Sequence, residues 1–123
     1  MVKTLLAAVL AVVMGVVCVQ GAQAQSEMTW KFQNDNKYKA QLKFFSSDRK
    51  GHVWPSSTTV YPLNDSGAHS FKISCLGGEK ICYGAWVAGN KNRYWGVGAD
   101  GREGCEHCCF KCQGGETPLI HLK

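Results

Sequence analysis

Four cysteines and a histidine lie within the twelve residues GCEHCCFKCQGG, residues 104–115. A segment this rich in thiols has three ordinary uses, which are a metal site, a redox centre and a set of disulfide bridges. Each use demands a different fold around it, so this segment constrains the architecture more than any other. The compartment helps to decide among them, because thiols stay reduced in the cytosol and oxidise outside it.

The amino-terminal segment has the pattern of a cleavable secretory signal. Lys3 supplies a positive start, residues 4–19 are almost wholly apolar, and Ala22-Gln23-Ala24 is a small-x-small cleavage site. We therefore assign residues 1–24 to a signal peptide and residues 25–123 to a single cystine-rich β domain. The apolar run is shorter than the ~20 residues that a membrane span needs, so no transmembrane span is expected after signal cleavage.

Removal of the signal makes the cysteine count even. Of the seven cysteines, Cys18 leaves with the signal. The remainder suits a framework of disulfides. These residues are Cys75, Cys82, Cys105, Cys108, Cys109 and Cys112.

Zinc and redox chemistry fit the cluster less well than disulfides do. Its two C-x2-C pairs abut at Cys108 and Cys109, whereas a tetrahedral zinc site usually takes its pairs from separate turns, even if His107 replaces one thiolate. A catalytic C-x2-C would begin a helix in a βαβ unit, and the sequence predicts no such unit. We therefore expect disulfides in a secreted or periplasmic protein, with no metal and no cofactor.

The pairing of the cysteines is open to more than one solution. Cys108 and Cys109 are adjacent, and bridge geometry needs a larger separation of Cα atoms than neighbours usually provide, so at least one of them bonds elsewhere. We favour an arrangement in which Cys75 and Cys82 each bond into the cluster, with one bridge left inside it. The alternative joins Cys75 to Cys82 across a hairpin whose turn is Gly78-Glu79.

Alternation of apolar and polar residues predicts an all-β domain. It is present in residues 28–32, 38–44 and 69–75. Residues 81–88 have no polar face, which is typical of a central strand, and Pro62 places its strand at a sheet edge. The prediction is a small antiparallel β-sandwich or barrel of about seven strands, stapled by disulfides.

The net charge is modest. The chain has 14 basic and 9 acidic residues, and only Lys3 is lost with the signal. This mildly cationic balance predicts no nucleic-acid partner. Lys37, Lys39 and Lys43 form a stripe on one predicted strand face, which we interpret as a solvated face, with attraction to an anionic surface as the alternative.

Aromatic residues supply the candidate binding site. Trp30 and Trp86 occupy alternating positions that predict core packing. Trp54 lies beside a proline in a polar loop, and Tyr94-Trp95 comes just before a glycine-rich turn. Exposed aromatic rings in such places stack on sugar rings or anchor a partner. Trp54, Tyr94 and Trp95 are therefore the candidate ligand-binding residues, with ordinary core use as the alternative.

The glycine-rich turn itself matches a known motif. Residues 96–101 read G-x-G-x-x-G, the dinucleotide-binding fingerprint, but no helix start follows them. We interpret the run as a turn that uses glycine at positive φ. Asp100 and Glu103 nearby offer too few oxygen ligands to predict a calcium site.

Several of these segments together resemble a family of small exported bacterial cysteine-rich domains. The shared pattern is KICYGAW in residues 80–86, YWGVG in residues 94–98 and the doubled C-x2-C of the cluster. The resemblance implies a bacterial, extracytoplasmic domain stapled by cystines. It carries over no site residues.

These observations favour a non-enzymatic binding module. The four histidines lie in separate segments and no nucleophile stands at a motif spacing from a base, so no catalytic residue is predicted. The expected partner is an extracellular or envelope ligand, namely a glycan, a protein or a cell surface. The alternative is a small cationic secreted toxin or effector that acts on membranes or on a host protein. A hydrolase would need a concave pocket with a histidine and a carboxylate within hydrogen-bond reach.

Overall fold

The computed structural model describes Gly15 and residues 24–123, and the remainder of the predicted signal peptide, including Cys18, lies outside the described residues. The described part contains strands and no helix. Within it, therefore, no helix has the length and apolar character needed to span a membrane. The strands are β1 Gln25–Asn34, β2 Ala40–Ser46, β3 Val53–Trp54, β4 Tyr61–Leu63, β5 Ala68–Leu76, β6 Lys80–Val87, β7 Asn90–Gly96, β8 Cys109–Lys111 and β9 Glu116–Leu122.

The strands form two sheets. The three-stranded sheet has the order β5-β1-β9, and the six-stranded sheet has the order β3-β2-β6-β7, with β4 also paired to β2 and β8 also paired to β6. All pairings are antiparallel except that of β1 with β9, which is parallel. The all-β prediction is confirmed, and the two sheets share one core in the manner of a sandwich.

The core is built from residues that alternate along the strands and face inward from both sheets. Trp30 and Phe32 of β1 pack against Phe44 of β2, and Phe32 also contacts the ring of Tyr83 at 5.1 Å between centroids. These rings come from both sheets, so they join the two layers. Trp30 is buried in this core, as predicted, whereas Trp86 is buried on the other face of β6, where it pairs with Tyr94.

Two of the predicted strand positions are confirmed. β6 is buried along its length after Lys80 and lies between β2 and the pair β7 and β8, which makes it the central strand. β4 carries Pro62 and pairs only with β2, so it is an edge strand. The lysine stripe is wrong in one respect: β2 begins at Ala40, so Lys37 and Lys39 precede the strand.

The predicted hairpin between β5 and β6 is wrong. The two strands belong to different sheets, and the chain crosses between the layers in residues 77–79. The reason is Glu79, whose side chain turns inward and is fully buried. Its carboxylate accepts hydrogen bonds from Arg49 and from the Leu76 N–H, and this network holds the crossing in place.

All six cysteines of residues 24–123 form disulfides, in the arrangement that we favoured. One bridge lies inside the cluster and two bind the cluster to the sheets. The alternative across the hairpin is wrong, because β5 and β6 are not paired. The bridges are Cys75–Cys112, Cys82–Cys109 and Cys105–Cys108.

Candidate functional site

The structure buries Trp54, which therefore has the ordinary core role that we weighed against ligand binding. Its side chain is only 8% exposed, because β3 pairs Trp54 with Phe44 and directs both rings into the core. The indole N–H donates a hydrogen bond to the carbonyl of Ser74 at 2.8 Å, and the Arg49 guanidinium lies 5.6 Å from the ring centroid. These contacts make Trp54 a link between the two sheets.

Tyr94 and Trp95 face opposite sides of β7. Trp95 pairs with the buried Ala85, packs against the core, and donates its indole N–H to the Lys123 carbonyl at 2.9 Å. Tyr94 is 44% exposed and lies on the outer face of the six-stranded sheet, opposite Trp86. Of the three aromatic candidates, Tyr94 alone is largely exposed, and the structure does not bring it together with Trp54.

The segment after β7, residues 97–103, folds back over the outer face of the six-stranded sheet. We call it the glycine loop. Its approach to the sheet is so close that a Cβ atom at Gly84 would overlap the carbonyl oxygen of Gly98. Glycine at position 84 is therefore a steric requirement of the loop.

Backbone hydrogen bonds hold the glycine loop in one conformation. The Val97 N–H donates to the Tyr83 carbonyl at 2.9 Å, and the Glu103 N–H closes the loop by donating to the Val97 carbonyl at 3.0 Å. Gly98 has a φ of 74°, a conformation that side-chain-bearing residues rarely adopt. The loop is thus held in place by hydrogen bonds of its own backbone and to β6.

A cleft of about 240 Å³ lies between β7 and the glycine loop. We call it the Tyr94 cleft. Two of its lining side chains contact each other, since the Tyr94 hydroxyl donates a hydrogen bond to a Glu103 carboxylate oxygen at 3.4 Å. The other polar side chains that line it are Lys91, Asn92, Asp100 and Arg102.

A second cleft, of about 570 Å³, lies on the other side of the glycine loop. We call it the His52 cleft, and it is bordered by the segment between β2 and β3. Asp100 and Arg102 line both clefts, so these two residues form a shared wall. The other side chains include Phe45, Asp48, Lys50 and His52.

The charges of the Tyr94 cleft are balanced. Two carboxylates and two cationic groups surround an exposed aromatic ring. Such a site offers hydrogen-bond donors and acceptors in equal measure and attracts neither anions nor cations strongly. The arrangement suits a neutral ligand with many hydroxyl groups and a partly apolar face.

Two histidine–carboxylate pairs lie elsewhere on the surface. His121 contacts Asp35 at 2.7 Å, and His69 contacts Asp65 at 2.7 Å. The hydrogen bond from His69 lowers the pKa of the Asp65 carboxyl, assisted by the Gly67 N–H. Neither pair lines the Tyr94 cleft or the His52 cleft.

The side chains that could hold a metal ion are dispersed in this structure. Among residues 24–123, no group of three or more histidine, cysteine, aspartate or glutamate side chains is arranged to hold a metal ion. The cysteine cluster is occupied by its disulfides. Every sulfur atom of the cluster is bonded to another sulfur, either inside the cluster or in β5 and β6.

Sequence reasoning missed the charged residues of the Tyr94 cleft. It weighs Asp100 and Glu103 only as calcium ligands, and it does not single out Lys91 or Arg102. The available signal was the G-x-G-x-x-G run directly after an aromatic pair, which marks a loop able to approach a sheet closely. No protein-family model, curated protein or solved structure matches the chain.

Proposed function

We propose that this protein is a non-enzymatic binding module that takes a glycan of a cell surface or the extracellular space in the Tyr94 cleft. The observation that carries the proposal is the position of Tyr94. Tyr94 is 44% exposed on β7 and borders a cleft whose lining carries charged side chains of both signs.

A sugar ring has one apolar face of C–H groups and an edge of hydroxyl groups. The face packs on an aromatic ring such as Tyr94, and the hydroxyls exchange hydrogen bonds with carboxylates and guanidinium groups. Asp100, Glu103 and Arg102, which also line the cleft, supply those groups. A few polar groups placed around an apolar surface are the usual basis of orientation and specificity in small-molecule sites.

The rigidity of the site supports the same function. Trp86, opposite Tyr94, is buried and donates its indole N–H to the Gln41 side chain at 3.0 Å, which fixes the sheet beneath the tyrosine. The glycine loop is held to the same sheet by the hydrogen bond from Val97. A site that is organised before the ligand arrives loses less entropy on binding.

The disulfides bear on the compartment. Three disulfides in a small domain indicate an oxidising, extracytoplasmic environment. Export through the signal in residues 1–24, with a secreted or periplasmic location, is part of the proposal. A glycan of the envelope or of the surroundings is the class of ligand that such a protein meets.

Retention on glycans tests the proposal. The purified protein, the Tyr94→Ala variant and the Tyr38→Ala variant are each incubated with cellulose, chitin, peptidoglycan and a panel of soluble oligosaccharides. Tyr38 is a matched control because its ring is 39% exposed and lines neither cleft. We expect the tyrosine-to-alanine change at position 94 to weaken retention roughly tenfold, since aromatic anchors commonly contribute that much, and the change at position 38 to leave it unaltered.

Two results would contradict the proposal. Equal retention of all three proteins would show that Tyr94 does not contribute to the binding site. Failure of every glycan to retain the wild type would exclude glycans as the ligand. Dye release from anionic liposomes, or growth inhibition by the same preparation, would favour the toxin instead.

A further inference from the structure

The three disulfides differ in how they are built into the fold. Cys105–Cys108 spans a sequence separation of 3, whereas the separations of the other two bridges are 37 and 27. A bridge constrains the unfolded chain less when the loop that it closes is short. Cys105–Cys108 therefore contributes least to the stability of the domain.

One cysteine of this bridge is partly exposed. Cys105 is half-buried in the connection between β7 and β8, and Cys108 is 4% exposed. By contrast, Cys75 and Cys112 are both buried in the core. A dissolved thiol therefore meets more exposed surface at Cys105 than at either cysteine of the Cys75–Cys112 bridge.

The Cys82–Cys109 bridge is protected in another way. Cys109 is half-buried, but it lies in β8 directly opposite Cys82 of β6. The strand pairing keeps the two sulfur atoms together after reduction, which favours re-formation of the bond. Among the bridges described, only Cys105–Cys108 combines a partly exposed cysteine with a position outside the strands.

The backbone inside the short bridge is in an unfavourable conformation. His107, between the two cysteines, has a φ of 61°, a region that residues other than glycine rarely occupy. The bridge limits the ways in which this four-residue segment can relax. Opening it would give His107 access to ordinary backbone conformations.

Opening this bridge leaves the sheets intact. Residues 105–108 belong to no strand, and the Cys108 carbonyl accepts a hydrogen bond from the Tyr83 N–H at 3.0 Å independently of its sulfur. The following strand, β8, stays paired with β6 and tied to it by Cys82–Cys109. The loss of the short bridge is therefore a local event.

From these observations we propose that Cys105–Cys108 is a site of reversible thiol–disulfide exchange, which a dithiol reduces while the fold and the other two bridges persist. The proposal does not depend on the glycan site. The partner class is a protein or small molecule that carries two neighbouring thiols.

The exchange proceeds in two steps. A thiolate of the dithiol attacks the accessible Cys105 sulfur, the Cys105–Cys108 bond breaks, and the Cys108 sulfur leaves with the electron pair and takes up a proton. The second thiol of the dithiol, as its thiolate, then attacks the reagent sulfur of the mixed disulfide, and Cys105 leaves as a thiolate that is protonated. Two electrons and two protons pass to the bridge, and the dithiol becomes a disulfide.

Titration with dithiothreitol tests the proposal. The folded protein is equilibrated with increasing dithiothreitol, alkylated with iodoacetamide and mapped by mass spectrometry, while circular dichroism follows the β structure. We expect Cys105 and Cys108 to be alkylated at a dithiothreitol concentration at least roughly tenfold below that for the other four cysteines, with the spectrum unchanged. Simultaneous labelling of all six cysteines, or earlier labelling of another bridge, would overturn it.

Two double variants serve as controls. Cys105→Ser with Cys108→Ser should keep the spectrum and lose the early phase of labelling. Cys82→Ser with Cys109→Ser should retain that phase. An early phase that persists in the first variant would refute the assignment, and the labelling order in the wild type decides the matter even if a variant fails to fold.

Discussion

Glu79 is the residue on which the crossing between the sheets depends. Its buried carboxylate accepts hydrogen bonds from Arg49 at 2.6 and 2.8 Å, from Ser46 at 2.6 Å and from the Leu76 N–H at 2.9 Å. Burial alone would raise the pKa of Glu79, but these hydrogen bonds outweigh it and lower the pKa to about 2. The charged form is therefore the form that the fold selects.

Replacement of Glu79 by glutamine should destabilise the protein and change its response to acid. We expect a loss of roughly 2 to 3 kcal/mol at neutral pH, because Arg49 loses its charged partner. The folded pKa of Glu79 lies below the ordinary value of 4.5, so its contribution is complete above pH 4.5 and is lost as the pH falls toward about 2. Urea denaturation of wild type and Glu79→Gln across this range measures both effects.

The control for this substitution is Glu116→Gln. Glu116 also forms an ion pair, with Lys31 at 3.4 Å, but its side chain is 64% exposed. An exposed pair of this kind contributes less than about 1 kcal/mol. Equal losses in the two variants, or a difference between wild type and Glu79→Gln that does not narrow in acid, would contradict our account of Glu79.

At the scale of elements, the glycine loop depends on its positive φ angles. A Cβ atom at Gly98 would lie 2.9 Å from the Glu103 Cγ and 3.6 Å from the Tyr94 ring, in a conformation with φ of 74°. Gly98→Ala should cost about 1 kcal/mol of stability and disturb the Tyr94 cleft. Gly104→Ala is the matched control, because a Cβ atom at Gly104 would have no neighbour within 4 Å. Thermal denaturation and glycan retention of both variants provide the comparison, and identical behaviour would count against a rigid loop.

The strands whose inward residues could be predicted are those long enough to show alternation. β1, β2 and β5 show the period of two because one face of each meets the core, and their inward residues follow from it. β3 has two residues, which is too short for any periodicity, so the burial of Trp54 could not be predicted. The exposure of Tyr94 rather than Trp95 depends on the pairing of β7 with β6, which local sequence does not specify.

Strand pairing is the feature of the fold that the sequence predicted least well. A glycine-rich turn between β5 and β6 suggests a hairpin, because short turns usually join paired strands. The burial of Glu79 instead places β5 and β6 in different sheets. This burial depends on the ion pair with Arg49, which lies far away in the chain. Contacts of this kind are set by the whole fold.

At the scale of the whole molecule, the Cys75–Cys112 bridge should matter most for stability. It ties β5 of the three-stranded sheet to the segment between β8 and β9, with a separation of 37 residues. Replacing both cysteines by serine should cost about 4 kcal/mol, against about 2 kcal/mol for the Cys105–Cys108 pair, because the longer loop constrains the unfolded chain more. Urea denaturation of the two double variants ranks them, and the reverse order would refute this division.

The parallel pairing of β1 with β9 has a consequence for biogenesis. β1 can pair with β9, one of its two neighbours, only after β9 has been synthesised. Contacts this distant in sequence form slowly. Until then one flank of β1 is an unpaired edge beside an aromatic interior, which is a template for aggregation. We therefore expect a chaperone that shields open strand edges to reduce aggregation of the chain while it folds.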